Sequence, residues 1–119
     1  MTRDKIYSKY AVMLDKVDLF KLGARSIEEA KIVLIMIQNY FNNKLQLYKK
    51  VYLHEVYEAL GVTWSDKLNI KSVGWRYDPN DTNIDNYIDF SIFELANLDF
   101  INGCEDRVIL DFNVDGIID

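Results

Sequence analysis

The chain has 119 residues, half of them apolar, and a formal net charge of −5 at pH 7. That length predicts one compact domain with a single core, because a domain of this size buries about two-thirds of its unfolded surface. The composition is not that of a disordered protein. Because no apolar stretch approaches the ~20 residues of a membrane-spanning helix and the N-terminus has no apolar signal core, we expect a cytoplasmic protein.

The charge is unevenly distributed along the chain. Residues 1–76 carry a net charge of +5, whereas residues 77–119 carry −10, with Arg107 as their single cation. Blocks of opposite sign arise either from solvated faces or from a dedicated electrostatic binding surface. The sequence is compatible with both interpretations.

The N-terminal part of the chain has the apolar spacing of a helix. Intervals of three and four residues predict a first helix that ends at Gly23. A capping-box pattern at Ser26 and Glu29 then starts a second helix. The apolar residues of the first helix are Ile6, Tyr10, Met13, Leu14, Val17 and Phe20.

The second helix carries a wide apolar stripe and is predicted to be central to the core. We expect it to fray at Asn42 and Asn43, and residues 45–52 to form a connector or a short strand. Residues 53–60 are predicted to form a short helix closed by Gly61.

The period of the apolar residues changes to two near residue 72. Residues 73–77, 87–92 and 108–114 each alternate apolar with polar or small side chains, which predicts three strands. A turn at residues 78–81 contains the only proline, Pro79. We therefore predict one α+β domain over residues 1–119, mainly helical in 1–62 and with antiparallel strands in 72–116, its helices packed on one face of a three-stranded sheet.

The residues that support catalysis are scarce. His54 is the single histidine, and Glu58 stands where a zinc-protease helix needs its second histidine, so His54 is interpreted as a helix residue paired with Glu58. Cys104 is followed by Glu105 and Asp106, whereas a reactive cysteine needs cationic neighbours, so a catalytic cysteine is not expected. The sequence predicts no catalytic residues, no cofactor and no enzymatic activity.

The C-terminal segment matches part of a calcium-binding loop. Asp111, Asn113, Asp115 and Gly116 occupy its positions one, three, five and six, but the chain ends before the glutamate of position twelve. The same residues alternate with apolar ones, so we interpret Asp111, Asn113 and Asp115 as the outer face of a strand. No metal site is predicted.

The aspartates of the last third are candidates for a partner-binding surface. Closely spaced carboxylates can imitate a row of phosphates and attract a basic surface on another protein. The candidate acidic face consists of Asp78, Asp81, Asp85, Asp89, Asp111 and Asp115.

A helix-turn-helix is an alternative interpretation of residues 51–68. A short helix, Gly61 and a second helix capped by Thr63 would be followed by strands that form a wing. The acidic C-terminal third argues against direct binding of nucleic acid, because it would repel DNA. The candidate phosphate contacts of this alternative are Lys49, Lys50, Lys67, Lys71 and Arg76.

Several short motifs resemble an uncharacterised family of small proteins from phages and mobile elements of Gram-positive bacteria. The resemblance spans residues 26–119 and implies a phage or prophage accessory protein that acts in the bacterial cytoplasm. It implies no activity and no catalytic residue. The motifs are Gly74-Trp75, Tyr77-Asp-Pro-Asn80, Asp85-Asn-Tyr-Ile-Asp-Phe90, Asp99-Phe-Ile-Asn-Gly103 and Ile109-Leu-Asp-Phe-Asn-Val-Asp-Gly116.

The hypothesis that follows is a non-enzymatic protein that binds a host or phage protein. We expect an inhibitor of a bacterial defence nuclease, such as a CRISPR effector, that uses the acidic face. The alternatives are a small winged-helix regulator of DNA and a structural or assembly component of a virion. The sequence does not specify the oligomeric state.

Overall fold

The computed structural model describes residues 7–65 and 69–119 and confirms the α+β class. The helices are α1 (Lys16–Lys21), α2 (Ile27–Tyr48), α3 (Leu53–Ala59) and α4 (Leu98–Ile101), and a 3₁₀ turn at Leu95–Asn97 precedes α4. The strands are β1 (Val12–Leu14), β2 (Lys50–Tyr52), β3 (Val73–Arg76), β4 (Val108–Leu110) and β5 (Gly116–Ile117).

The first predicted helix is wrong over residues 7–14, where the chain is irregular and then forms β1, while Ile6 lies outside the described residues. Asp15 ends that strand and caps α1, because its carboxylate accepts from the amide of Asp18 and the Asp18 carboxylate accepts from the amide of Asp15. Val12 and Leu14 pair with Leu110 and Val108 of β4. A strand partner far along the chain therefore overrides the local helical spacing.

Helix α2 begins where the sequence predicts and ends later. The Ser26 hydroxyl accepts from the amide of Glu29 at 3.1 Å, which confirms the N-cap. The predicted fraying at Asn42 and Asn43 is wrong, because the helix runs on to Tyr48 and ends at Lys49 in the left-handed conformation. Burial of Leu45 against the core holds the extra turns in place.

The strands form two small sheets. β1 pairs with β4, and β2, β3 and β5 form a second sheet with β3 in the centre, all antiparallel. A three-stranded antiparallel sheet is thus present, but β3 is the only predicted strand in it, and residues 50–52 and 116–117 flank β3. Residues 87–92 are not a regular strand, and the predicted strand over 108–114 is regular only in β4.

The core is built around aromatic rings from four parts of the chain. The ring of Phe112 lies edge-on to those of Tyr57, Trp75 and Phe90, with centroids 5.3 to 6.4 Å apart. Trp75 and Phe90 are fully buried, so α3, β3 and the segment after residue 86 all pack on the chain that follows β4.

Gly74 is the position in the central strand where space is most restricted. A Cβ atom there would lie 2.1 Å from the Val51 carbonyl oxygen and 2.8 Å from the Tyr52 Cα. Both atoms belong to the backbone of β2, which is itself fixed between α2 and α3. A side chain at residue 74 therefore cannot be accommodated by a rotamer change.

Gly74→Ala is expected to lower the free energy of unfolding by about 2–4 kcal/mol, because β2 must move away from β3. Urea denaturation followed by tryptophan fluorescence measures the change. Gly61→Asn is the matched control, since Gly61 has open space around it and a left-handed φ of +73° that asparagine tolerates. An equal loss of stability in both variants would contradict the close approach of β2.

Candidate functional site

The acidic loop, residues 77–91, leaves β3 and carries four of the six predicted aspartates. It begins with the predicted turn, in which the Asp81 amide donates to the Asp78 carbonyl at 3.0 Å. The Asp78 carboxylate accepts from the amide of Asn80, and the amide of Asp78 donates to the Asn86 side chain. Side chains of the loop therefore bind its own backbone.

Arg76 is the last residue of β3, and its cation lies among the carboxylates of the acidic loop and Asp115. Its guanidinium pairs with the Asp81 carboxylate, and its amide donates to Asp115 Oδ2 at 2.8 Å. The Asn83 amide and the Arg76 guanidinium lower the pKa of Asp81. Burial raises the pKa of Asp115, and the charges of Asp85 and Asp81 raise it further. The hydrogen bond from the Arg76 amide acts in the opposite direction but is outweighed.

Asn113 fastens the acidic loop to the rest of the domain. Its Oδ1 accepts from Trp75 Nε1 at 2.9 Å and from the Asp89 amide at 2.7 Å. Its Nδ2 donates to Asp85 Oδ2 and to the Tyr87 carbonyl, each at 3.0 Å. All the hydrogen-bonding capacity of one amide is thus used to join β3, the loop and the C-terminal segment.

Helix α2 holds the end of the acidic loop through two further amide side chains. The Asn42 side chain accepts from the Ile88 amide at 2.7 Å and donates to the Ile88 carbonyl at 2.9 Å. Gln38 Oε1 accepts from the Phe90 amide at 2.8 Å. Alternate side chains of residues 88–92 are buried, as their period of two predicted. The backbone of this segment, however, forms hydrogen bonds with side-chain amides where a regular strand would bond to a neighbouring strand.

Asn97 makes the same kind of contact just beyond the loop. It is buried, and its Nδ2 donates to the carbonyls of Ser91, Ile92 and Ile109 while its Oδ1 accepts from the Ile109 amide. The 3₁₀ turn is thereby tied to β4. The buried amide is fully hydrogen-bonded, which offsets the cost of removing it from water.

Four of the six predicted aspartates are brought together. Asp78, Asp81 and Asp115 lie within electrostatic range of Arg76, and Asp85 of Asp115. Asp89 lies farther along the loop, where its carboxylate accepts from the Ser91 amide. The sixth, Asp111, stands apart.

Asp111 belongs to a different contact. Its carboxylate accepts from both the amide and the hydroxyl of Ser8, ahead of β1. It therefore fixes the start of the described chain against the segment after β4. We define the acidic cluster as Asp78, Asp81, Asp85 and Asp115.

The cations of the helix-turn-helix alternative have partners within the chain. Lys50 lies opposite Arg76 in the β2–β3 pair and 3.8 Å from Asp119. The Lys49 ammonium donates to the Gln46 carbonyl and lies 4.8 Å from the centre of the Tyr77 ring. Lys71 lies 6.0 Å from the centre of the Trp64 ring. The rings of His54 and Tyr52 continue from Trp64 to Lys50, whose ammonium lies 5.7 Å from the Tyr52 ring. Each of these three lysines therefore already contacts an aromatic ring of the same chain.

The second helix of that alternative is not seen where it would begin. α3 is followed by Gly61, as predicted, but residues 62–65 are not helical. The predicted cap Thr63 is exposed in this irregular segment. Lys67 and the rest of the predicted second helix, residues 66–68, lie outside the described residues.

The residues considered for metal binding and catalysis are separated or engaged in structural contacts. The ends of the partial calcium loop point to different partners, Asp111 to Ser8 and Asp115 to the Arg76 amide. His54 Nδ1 lies 3.5 Å from Glu58 Oε2, as the helical spacing predicts. Within residues 7–65 and 69–119, no three His, Cys, Asp or Glu side chains are grouped to hold a metal ion.

The sequence does not identify the side-chain amides that bind the backbone of the acidic loop. Its pattern places Asn113 on the outer face of a strand and Asn42 at the end of a helix. One signal was available, because asparagine and glutamine are unusual at half-buried positions unless hydrogen-bonded. Their partners lie 24 to 52 residues away in the chain, so spacing alone cannot identify them.

A family model matches residues 2–119 and describes a family of unknown function, DUF6353. The chain belongs to this family, and the match includes residues 2–25, which precede the sequence motifs. No curated protein and no solved structure matches the chain. An uncharacterised family is therefore confirmed, while a phage origin stays a prediction.

One structural finding concerns membranes. Among the helices of the described ranges, none has the length and apolar character that crossing a bilayer requires. The longest, α2, carries Glu28, Glu29 and Lys31 in its first turns and Lys44 farther on.

Asn113→Ala is expected to lower the free energy of unfolding by about 2–4 kcal/mol, because the buried Trp75 Nε1 and the Asp89 amide lose their acceptor. Urea denaturation measures the loss, and hydrogen exchange of residues 85–91 should accelerate. Asn80→Ala, in an exposed turn, is the control and should change stability by less than about 0.5 kcal/mol. Equal behaviour of the two variants would refute the role of Asn113.

Asp115→Asn is expected to stabilise the protein at neutral pH. A carboxyl whose pKa is raised on folding favours the folded state below its ordinary pKa of 3.8, and this contribution is lost as the pH rises through the folded pKa. The variant keeps an oxygen for the Arg76 amide but carries no charge. Denaturation at neutral pH and below pH 3.8 should show a gain only at neutral pH; destabilisation at both would contradict the assignment.

Proposed function

We propose that this member of DUF6353 is a non-enzymatic protein that binds a partner protein through the acidic cluster. The observation that carries the proposal is the fixed arrangement of the carboxylates. Each of Asp78, Asp81, Asp85 and Asp115 accepts a hydrogen bond from a backbone amide or a side chain of the same chain. Their negative charges therefore have defined positions before any partner arrives.

Such preorganisation favours binding, because less side-chain entropy is lost when the complex forms. Asp78, Asp81 and Asp115 lie within electrostatic range of the single Arg76 guanidinium, and Asp85 lies near Asp115, so the acidic cluster has an excess of negative charge. A basic surface on the partner complements that excess and is steered towards it over about a Debye length. Basic surfaces of this kind are typical of proteins that bind nucleic acid.

The specific form of the proposal is an inhibitor of a bacterial defence nuclease. Carboxylates held at fixed positions imitate phosphates, so they compete with DNA or guide RNA for the same basic channel. The resemblance to phage and mobile-element proteins supplies the biological setting, since such genomes benefit from blocking nucleases. The partner is then a host protein of the bacterial cytoplasm.

Direct binding of DNA by this chain is less well supported. Arg76 is paired with Asp81, Lys50 lies near Asp119, and the Lys49 ammonium donates to the Gln46 carbonyl. A duplex needs a continuous row of available cations. The acidic loop adjoins Arg76, so it would oppose the approach of a duplex.

The test uses purified nucleases and RNA-guided effectors, with inhibition of DNA cleavage as the readout. Asp78→Asn with Asp85→Asn removes two charges and keeps an oxygen acceptor at each position. We expect inhibition to weaken about tenfold or more and to fall steeply with added salt. Excess duplex DNA should displace the inhibitor.

The matched control changes the same charge elsewhere in the acidic third. Glu94→Gln with Asp99→Asn alters two exposed carboxylates outside the acidic cluster. Its inhibition should equal that of the wild-type protein. Salt-insensitive inhibition, or an equal loss in both double variants, would exclude nucleic-acid mimicry by the acidic cluster.

A further inference from the structure

Helix α2 is apolar on two opposite faces. One face, with Ala30, Leu34, Phe41 and Leu45, is buried in the core. The opposite face is in solvent, yet residues 32–43 contain no charged residue. We define the outer stripe as its exposed members Ile32, Met36, Asn39, Tyr40, Asn43 and Leu47.

The exposure of the outer stripe is large for its chemistry. Ile32, Met36 and Tyr40 are 57%, 63% and 60% exposed, and Leu47 is 75% exposed. Surface helices of single domains normally carry charges on the side away from the core. Three turns without a charge, with Met36 and Tyr40 exposed at their centre, are typical of a protein interface.

The outer stripe also has ordered anchors. The Tyr40 ring lies edge-on to Phe41 at 5.0 Å, so it is supported by the core. Met36 and Tyr40 line a groove of about 560 Å³ together with Ala59 of α3, with Lys21 at the end of α1 and with Leu22 just after it. A projecting stripe beside an apolar groove offers complementary shapes to another helix.

We propose that the outer stripe binds a second copy of this chain, with the two α2 helices antiparallel about a twofold axis near residues 36–40. A twofold interface brings residues near the axis against themselves in the partner, so like charges there would repel. A stripe without charges meets this condition. The spacing 32, 36, 39 and 43 alternates between four and three, as in helices that pair along a seam, and Leu47 follows after four more residues.

The ends of α2 favour the antiparallel arrangement. Glu28 and Glu29 lie in its first turn, where they pair with Lys31 and Arg25, and Lys49 and Lys50 follow its last residue. Antiparallel packing places the two lysines of one copy beside the glutamates of the other, and it also opposes the helix dipoles. Parallel packing would bring the lysines of the two copies together.

The size of the contact predicts its strength. A helix of 22 residues is about 33 Å long, and a strip about 10 Å wide along it covers about 350 Å² per copy. Stable dimers bury about 800 Å² per partner. A contact of this size is expected to be weak, so the dimer should be reversible and should form as the protein concentration rises.

The experiment is a charge swap at Met36, measured by sedimentation velocity over a concentration series. The wild-type protein should dimerise with concentration. Met36→Glu and Met36→Lys should each weaken dimerisation about tenfold or more, because like charges meet near the axis. An equimolar mixture of the two variants should restore the dimer, which only an interface between copies predicts.

Circular dichroism checks that each variant is folded. If a variant at residue 36 does not fold, the charge swap is repeated with Tyr40→Glu and Tyr40→Lys. Leu95→Glu is the matched control, since Leu95 is 80% exposed and lies outside α2; its dimerisation should be unchanged. A wild-type monomer at all concentrations, or a mixture that stays monomeric, would overturn the proposal. Neither result depends on the acidic cluster.

Discussion

The arrangement of this domain depends on the hydrogen bonds of one side-chain amide, that of Asn113. It binds the indole of Trp75 in the core, the backbone of the acidic loop at Asp89 and Tyr87, and the carboxylate of Asp85. A buried indole N–H needs an acceptor, and an irregular loop needs partners for its backbone. One side chain meets both needs, so the core and the acidic loop are formed together.

Hydrogen bonds to the acidic loop also explain why the strands form two sheets and not one. After β4, the Asp111 and Asn113 amides donate to the carbonyls of Phe90 and Asp89, and the Asp115 amide donates to that of Gly74. The segment that follows β4 thus ends its pairing with β1, contacts the acidic loop, and then pairs with β3 as strand β5. Amides of Gln38, Asn42 and Asn97 complete the loop's hydrogen bonds, and this frees it from a regular ladder while keeping it fixed.

Two surfaces of different chemistry follow from this architecture. The acidic cluster lies beside β3 and is held by short-range hydrogen bonds, whereas the outer stripe runs along the side of α2 opposite the core. We propose that the first binds a basic partner and the second a copy of the same chain. A dimer would display two acidic clusters, and linked sites raise the apparent affinity when a partner spans them.

The sequence by itself determined the α+β class, the cap of α2, the helix closed by Gly61, strand β3, and the burial of alternate residues in 88–92, because each depends on neighbours within a few positions. Only the tertiary structure decided that residues 12–14 are a strand, that α2 continues past Asn43, and that Asp111 stands apart from the acidic cluster. These features depend on partners such as Leu110, Ile88 and Ser8, which lie 46 or more residues away in the chain. Local periodicity contains no information on such distant pairings.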